Sequence, residues 1–195
     1  MLFRSDSVEL LKRCFGPAIK LNPGPLFARM CTAANKGGGE NPRLQQRVLA
    51  LDPGETTGVA AWVPYRPTDD GSRAPREQIL LWQLGTKDLG PSYDILHKAL
   101  QDWSPDHLRA EDYKVYGWKA AEHAFASLHT ARWLGAIEVA AFQTDTPFTV
   151  KLAQHAKTFW TDDKLKACGI YHPGLKHARD AKRHLAHYLA FGVST

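Results

Sequence analysis

The rhythm of apolar and polar positions changes several times along the chain, and each change marks an element. Arg47 to Trp62 is two apolar runs separated by Asp52-Pro53-Gly54. Short apolar runs around a Pro-Gly turn predict a β-hairpin. A side-chain period of two puts Val48, Ala50 and Asp52 on one face, so the first strand ends on a carboxylate. Gly58 opens the second strand, where a missing Cβ lets the backbone approach a neighbour or ligand closely. Gln78 to Leu84 predicts a third strand, stopped by Gly85. Ser92 then caps a helix of about ten residues, with Ile95, Leu96, Ala99 and Leu100 facing the core. His107 to Tyr113 predicts a fourth strand, again ending in acid at Glu111-Asp112. Residues 119–142 read as one long helix with many small residues. Ala121, Phe125, Leu128, Arg132, Gly135 and Val139 lie near one stripe of it. Thr146 to Leu152 is a fifth strand, followed by a polar loop containing Lys157. A short helix starts near Thr161 and ends at Cys168-Gly169, and a last helix runs from about Leu175 to Ala190 with Leu185 and Leu189 in its buried stripe.

Three strands, a helix, a strand, a long helix, a strand and a closing helix make an α/β domain over residues 45–195. Residues 1–44 fit that order poorly. They hold Pro17, Pro23, Pro25 and Gly37-Gly38-Gly39, and they read as an N-terminal arm: mobile, in contact with a polyanion, or a targeting segment. The 195 residues suffice for one domain with a full core. No apolar run is long enough to span a membrane. Cys14, Cys31 and Cys168 are isolated, which implies neither a zinc site nor a disulfide framework.

Charge changes the picture more than composition does. The net charge is +5, but it is unevenly placed. Residues 151–195 hold eight Lys/Arg against three Asp/Glu, and residues 41–150 hold eleven against fourteen. An acidic centre beside a basic C-terminal segment suits a metal site that must hold a polyanion. Tyr113 to Lys119 interleaves aromatic and basic side chains. Lys114 and Lys119 can hold phosphates while Tyr116 and Trp118 stack on bases or wedge into opened DNA. His177 and Asp180 are three apart on the last helix and so project from one face. Lys176, Arg179, Lys182 and Arg183 add cationic charge around them.

The Asp-Pro-Gly hairpin resembles the first motif of the RNase H-like nucleases and, within them, of the RuvC Holliday-junction resolvases. His-x-x-Asp-Ala at residues 177–181 resembles the opening of their C-terminal helix. A similar Asp-x-Gly-Thr-Thr turn occurs in actin-like ATPases, but this chain is short for two such domains and has no second glycine-rich phosphate motif. The resemblance implies an RNase H-like five-stranded mixed sheet flanked by helices, with the fourth strand parallel to the first. Their acids then meet at one sheet edge. It implies Asp52, Glu111, His177 and Asp180 as catalytic residues and ligands of two Mg²⁺ or Mn²⁺ ions. Asp112 would point to the opposite face. Lys157 resembles the basic residue near the scissile phosphate, with Lys151 its rival. With Arg179, Lys182 and the 114–119 loop, it completes the expected DNA-binding set.

The activity so implied is two-metal hydrolysis of phosphodiesters in four-way or branched DNA, by a compact, phage-type enzyme acting as a homodimer through the 119–142 helix. A cytoplasmic site is expected, with organellar targeting by residues 1–40 left open. Other RNase H-like nucleases acting on flaps or RNA, a non-catalytic nucleic-acid-binding domain and an actin-like nucleotide binder are the alternatives.

Overall fold

The computed structural model describes residues 7–35, 39–65, 77–113 and 128–193. Six strands form one sheet: β1 (Ile19–Leu21), β2 (Val48–Asp52), β3 (Thr56–Val63), β4 (Gln78–Gly85), β5 (His107–Glu111) and β6 (Phe148–Lys151), in the order β1-β4-β3-β2-β5-β6. β1 to β4 pair antiparallel with one another, whereas β5 lies parallel to β2 and β6 parallel to β5. This is the expected mixed sheet with one additional edge strand.

The helices are α1 (Ser7–Phe15), α2 (Pro25–Ala33), α3 (Leu89–Trp103), α4 (His129–Gln143), α5 (Ala153–Phe159), α6 (Asp162–Ala167) and α7 (Lys176–Phe191). They divide between the two faces of the sheet. Val48, Ala50, Ala60 and Trp62 point to α7 and α2, packing on Ala178, Leu185, Leu189 and Phe27. Leu49, Leu51, Val59 and Ala61 point to α1, α3 and α4, packing on Leu11, Leu96, Leu100, Trp133 and Ile137. β2 is covered on both faces and paired on both edges. That is why its sequence is an unbroken apolar run rather than an alternation.

The segment expected to be an arm is built into the fold where it is described. β1 extends the sheet beside β4. Phe15 of α1 packs on Trp82, with ring centres 5.3 Å apart, and the Trp82 indole N–H donates to the Gly16 carbonyl. Asn41 donates to the Leu189 carbonyl at 2.7 Å, and Arg43 donates to Leu189 and Ala190. These donors satisfy carbonyls that the last turn of α7 would otherwise leave orphaned.

Other expectations also shift. α3 spans fifteen residues, and Ile95 is exposed on it while Leu96, Ala99, Leu100 and Trp103 are buried. Lys157 lies on a helix, α5, rather than in a loop. The long helix begins at His129 among the described residues, and residues 114–127 lie outside them. On α4 the buried residues are His129, Trp133, Ile137, Ala140 and Ala141, so the stripe through Leu128, Arg132, Gly135 and Val139 turns outward. Among the described residues, no helix is long and apolar enough to cross a membrane.

Candidate active site

Parallel pairing of β2 and β5, with Leu51 opposite Ala110, brings the two strand-end acids Asp52 and Glu111 side by side. The turn after Asp52 is braced from beneath. Thr86 Oγ1 donates to the Gly54 carbonyl, Thr57 Oγ1 lies 2.8 Å from Thr86 Oγ1, and the Trp133 indole N–H donates to Thr57 Oγ1 at 2.9 Å. His129 Nε2 sits 2.7 Å from the Thr86 carbonyl. A buried hydroxyl–indole–imidazole cluster therefore fixes the backbone that presents Asp52.

α7 arrives from the other side. A Cβ on Gly58 would sit 2.1 Å from the carbonyl carbon and oxygen of His177, far inside any real contact. Only glycine lets β3 accept the first turn of α7 at this distance, and that approach delivers the third and fourth predicted residues. His177 Nδ1 lies 2.8 Å from Asp52 Oδ2, and the His177 backbone N–H donates to Gln83 Oε1. Asp180, one turn on, is buried.

Each carboxylate is held differently. Lys157 Nζ lies 3.4 Å from Glu111 Oε1 and 3.1 Å from Asp180 Oδ2, bridging the two acids. Arg183 grips Asp180 Oδ1 at 2.5 Å, also pairs with Asp162, and donates to the Trp160 carbonyl. The fully buried His184 places Nε2 3.0 Å from Glu111 Oε2.

The electrostatics follow from these contacts. Burial, reinforced by the charges of Glu111 and Asp180, pushes Asp52 up to about 7 despite its hydrogen bond with His177. Burial alone would raise Glu111 too, but the His184 hydrogen bond and the neighbouring Lys157 pull it below the usual carboxylate range. Glu111 and Asp180 raise Lys157 against the cost of its burial. Three acids packed this tightly leave an excess of negative charge, and the Lys157 ammonium sits where cationic charge is best placed. Hard oxygen donors with one imidazole suit Mg²⁺ or Mn²⁺. Among the described residues, however, no three His, Cys, Asp or Glu side chains are placed so that together they could hold a metal ion. The acids instead lean on Lys157, Arg183, His184 and His177.

Of the expected DNA-binding residues, Lys157 reaches the acids, whereas Lys151 pairs in register with Glu111 on β6. Arg179 is half-buried beside Asp162. Lys114, Tyr116, Trp118 and Lys119 lie outside the described residues. Lys182 must be withdrawn from that set. It is fully buried, donates to the Ile170 carbonyl, and is pushed down to about 8 by burial. Its spacing from Ala178 and Leu185 places it on the core side of α7. The sequence also hid three buried groups behind the site: His184, His187 and Arg109. The two terminal nitrogens of Arg109 meet the Gly192 carbonyl and His187 Nδ1. The available signal was the alternation His107-Leu108-Arg109-Ala110-Glu111, a strand with one wholly polar face.

No family model matches the chain, and no curated protein matches it. Solved structures do. A structure of Thermus thermophilus RuvC in complex with a Holliday-junction substrate is 18% identical, covers 74% of this chain and 93% of its own, and superposes with a TM-score of 0.51. The fowlpox virus Holliday-junction resolvase is 12% identical, covering 73% of this chain and 97% of its own at a TM-score of 0.44. The yeast mitochondrial resolvase Ydc2 is 10% identical, covering 85% and 91% at 0.47. The chain thus shares the RNase H-like fold of Thermus thermophilus RuvC.

Proposed function

We propose that this protein is a metal-dependent endonuclease that resolves four-way DNA junctions. One observation carries the reading: Asp52, Glu111, His177 and Asp180, from two parallel strand ends and one helix, gather at one end of the sheet, where the Lys157 ammonium bridges Glu111 and Asp180. Asp52, Glu111, His177 and Asp180 would hold two Mg²⁺ or Mn²⁺ ions. When bound, such ions activate a water and stabilise the leaving oxygen of an in-line displacement. The chain's own residues do the rest. Asp52 must be ionised to hold a cation, and its elevated proton affinity makes that proton the competitor. His177 keeps Asp52 Oδ2 oriented from α7. Lys157 supplies a cation that can pass from the carboxylates to a phosphate oxygen. Lys176, exposed at the start of α7, extends the basic surface.

Pairing of two copies through α4 is part of the reading. Val139 and Phe142 on this helix and Leu128 at its N-cap are exposed, Phe142 by 83%. A four-way junction presents two symmetric strands to cut, which two sites related by a two-fold axis match. Phe142→Glu should leave a folded monomer by light scattering that nicks but no longer cuts in pairs.

The test is a cleavage panel of four-way junction, flap, linear duplex and RNA–DNA hybrid with Mg²⁺ or Mn²⁺. Preferential, metal-dependent cutting of the junction is expected. Preference for flap or hybrid would move the protein to another branch of nuclease chemistry. ATP binding with no cleavage would overturn the nuclease reading.

A further inference from the structure

We propose that His184 is a positioning residue for Glu111: it holds one carboxylate oxygen from inside the protein and thereby leaves the other as the metal-facing atom. The inference rests on the metal-site reading above. His184 is fully buried on α7, one turn past Asp180, with Nε2 3.0 Å from Glu111 Oε2. An ionised carboxylate only accepts, so this contact requires the proton on Nε2. Nδ1 of the same ring is buried without a partner among the described residues. A proton confined to Nδ1 would strand a donor there and lose the Glu111 bond as well.

The remaining oxygen, Glu111 Oε1, faces Lys157 at 3.4 Å. Asp180 repeats the division: Oδ1 is gripped by Arg183 at 2.5 Å, and Oδ2 faces the same ammonium at 3.1 Å. Two acids from different elements are each fastened from behind and present their second oxygen to one point. A carboxylate fixed in this way loses less rotational freedom on taking a cation than one that must first choose a rotamer. Outer partners of metal ligands typically change affinity by about 10–100-fold.

The test is Mn²⁺ binding measured by titration calorimetry without DNA, on wild type, His184→Leu and His184→Gln. Leu removes the donor, and Gln restores an N–H near the position of Nε2. The Leu variant should bind Mn²⁺ at least tenfold more weakly, on the order expected for such a partner. The Gln variant should recover most of that loss, and junction affinity in EDTA should not change in either. Wild-type Mn²⁺ affinity in the Leu variant, or a Gln variant as weak as Leu, would overturn the inference while leaving the metal site standing. No Mn²⁺ binding by wild type would overturn both. Should the Leu variant fail to fold by circular dichroism, the wild-type imidazole ¹⁵N spectrum decides. An Nε2–H at His184 that shifts in Glu111→Gln supports the inference, and a proton on Nδ1 alone refutes it.

Discussion

β2 and β5 lie side by side, run in the same direction and each end in an acid, yet they surround those acids in opposite ways. β2 is Val48-Leu49-Ala50-Leu51, apolar on both faces and wholly buried. Asp52 therefore ends a strand with little to offset its desolvation, and it is pushed up to about 7. β5 is polar at every second position on its α7 side, and each polar group has a partner there. His107 stacks on Tyr188 at 4.2 Å, Arg109 meets His187, and Glu111 meets His184. Glu111 is pulled down. One site thus holds an acid whose ionisation burial opposes beside one whose ionisation its neighbours favour. The geometry of both comes from the same parallel pairing, and the difference comes from what lies behind each strand.

The largest effect is expected of Asp52→Asn. It replaces an anionic donor by a neutral one of the same shape. Metal-dependent junction cleavage should fall below detection, while junction binding in a gel-shift assay stays within a few-fold, since removing negative charge does not weaken the hold on a polyanion. Robust cleavage by a preparation freed of contaminating nuclease would remove Asp52 from the chemistry.

Gly58→Ala comes next. The added Cβ meets His177 backbone at 2.1 Å, so either β3 or the start of α7 must move. Overpacking against backbone costs on the order of 1–3 kcal/mol or more. The melting temperature should drop by several degrees, and cleavage should fall further than stability explains, because His177 and Asp180 move with α7. A variant that melts and cuts like wild type would mean the close approach does not set the site.

Thermal melts in EDTA distinguish the two acids. Asp52 has a folded pKa of about 7 against an ordinary 3.8, so its contribution is greatest below 3.8 and is lost as pH rises through 7. Glu111, lowered in the fold, contributes above its ordinary range and loses that contribution as pH falls through its folded value. At pH 8, Asp52→Asn should therefore raise the melting temperature and Glu111→Gln should lower it. The Asp52→Asn advantage should shrink at pH 5.5. Shifts of the same sign at pH 8 would refute the contrast.

Lys157→Met tests the ammonium that bridges Glu111 and Asp180. Losing an ammonium that competes for Glu111 and Asp180 should tighten Mn²⁺ binding a few-fold by calorimetry, while cleavage declines for want of a phosphate contact. Weaker Mn²⁺ binding would show that Lys157 organises the acids rather than occupying their shared space.

The contrast also explains what the sequence could and could not tell. Asp52 was legible because period two and a Pro-Gly turn determine its face. His177 and Asp180 were legible because three-residue spacing on a helix does the same, and Gly58 because a strand rarely spends a glycine without a neighbour close by. β1 was missed since three residues, Ile19 to Leu21, are too few to show a period. His184 was missed because His177, His184 and His187 look alike until the crossing of α7 over β5 decides which strand residue each one meets. The expected interface stripe on the long helix does face outward on α4, but its start lies outside the described residues.

Lys182 gives the smallest and last test, because it concerns charge that looks available and is not. Lys176, Arg179, Lys182 and Arg183 form one basic run in the sequence, and counterion release would give each phosphate contact about 0.9 of slope in a plot of log affinity against log salt. The structure separates them. Lys182 is buried and bonded to the Ile170 carbonyl, and Arg183 is occupied by Asp180 and Asp162. Lys176 is exposed. Lys176→Gln should therefore reduce the salt slope of junction binding by about one, uniformly across junction sequences. Lys182→Met should leave the slope unchanged, whatever it does to the melting temperature, because no phosphate can reach a side chain enclosed between α7 and the segment carrying Ile170. Fluorescence anisotropy over a salt series measures both. A slope that falls with Lys182→Met and not with Lys176→Gln would mean that α7 presents its other side to DNA, and the face that carries His177 and Asp180 would no longer be the one that meets the substrate.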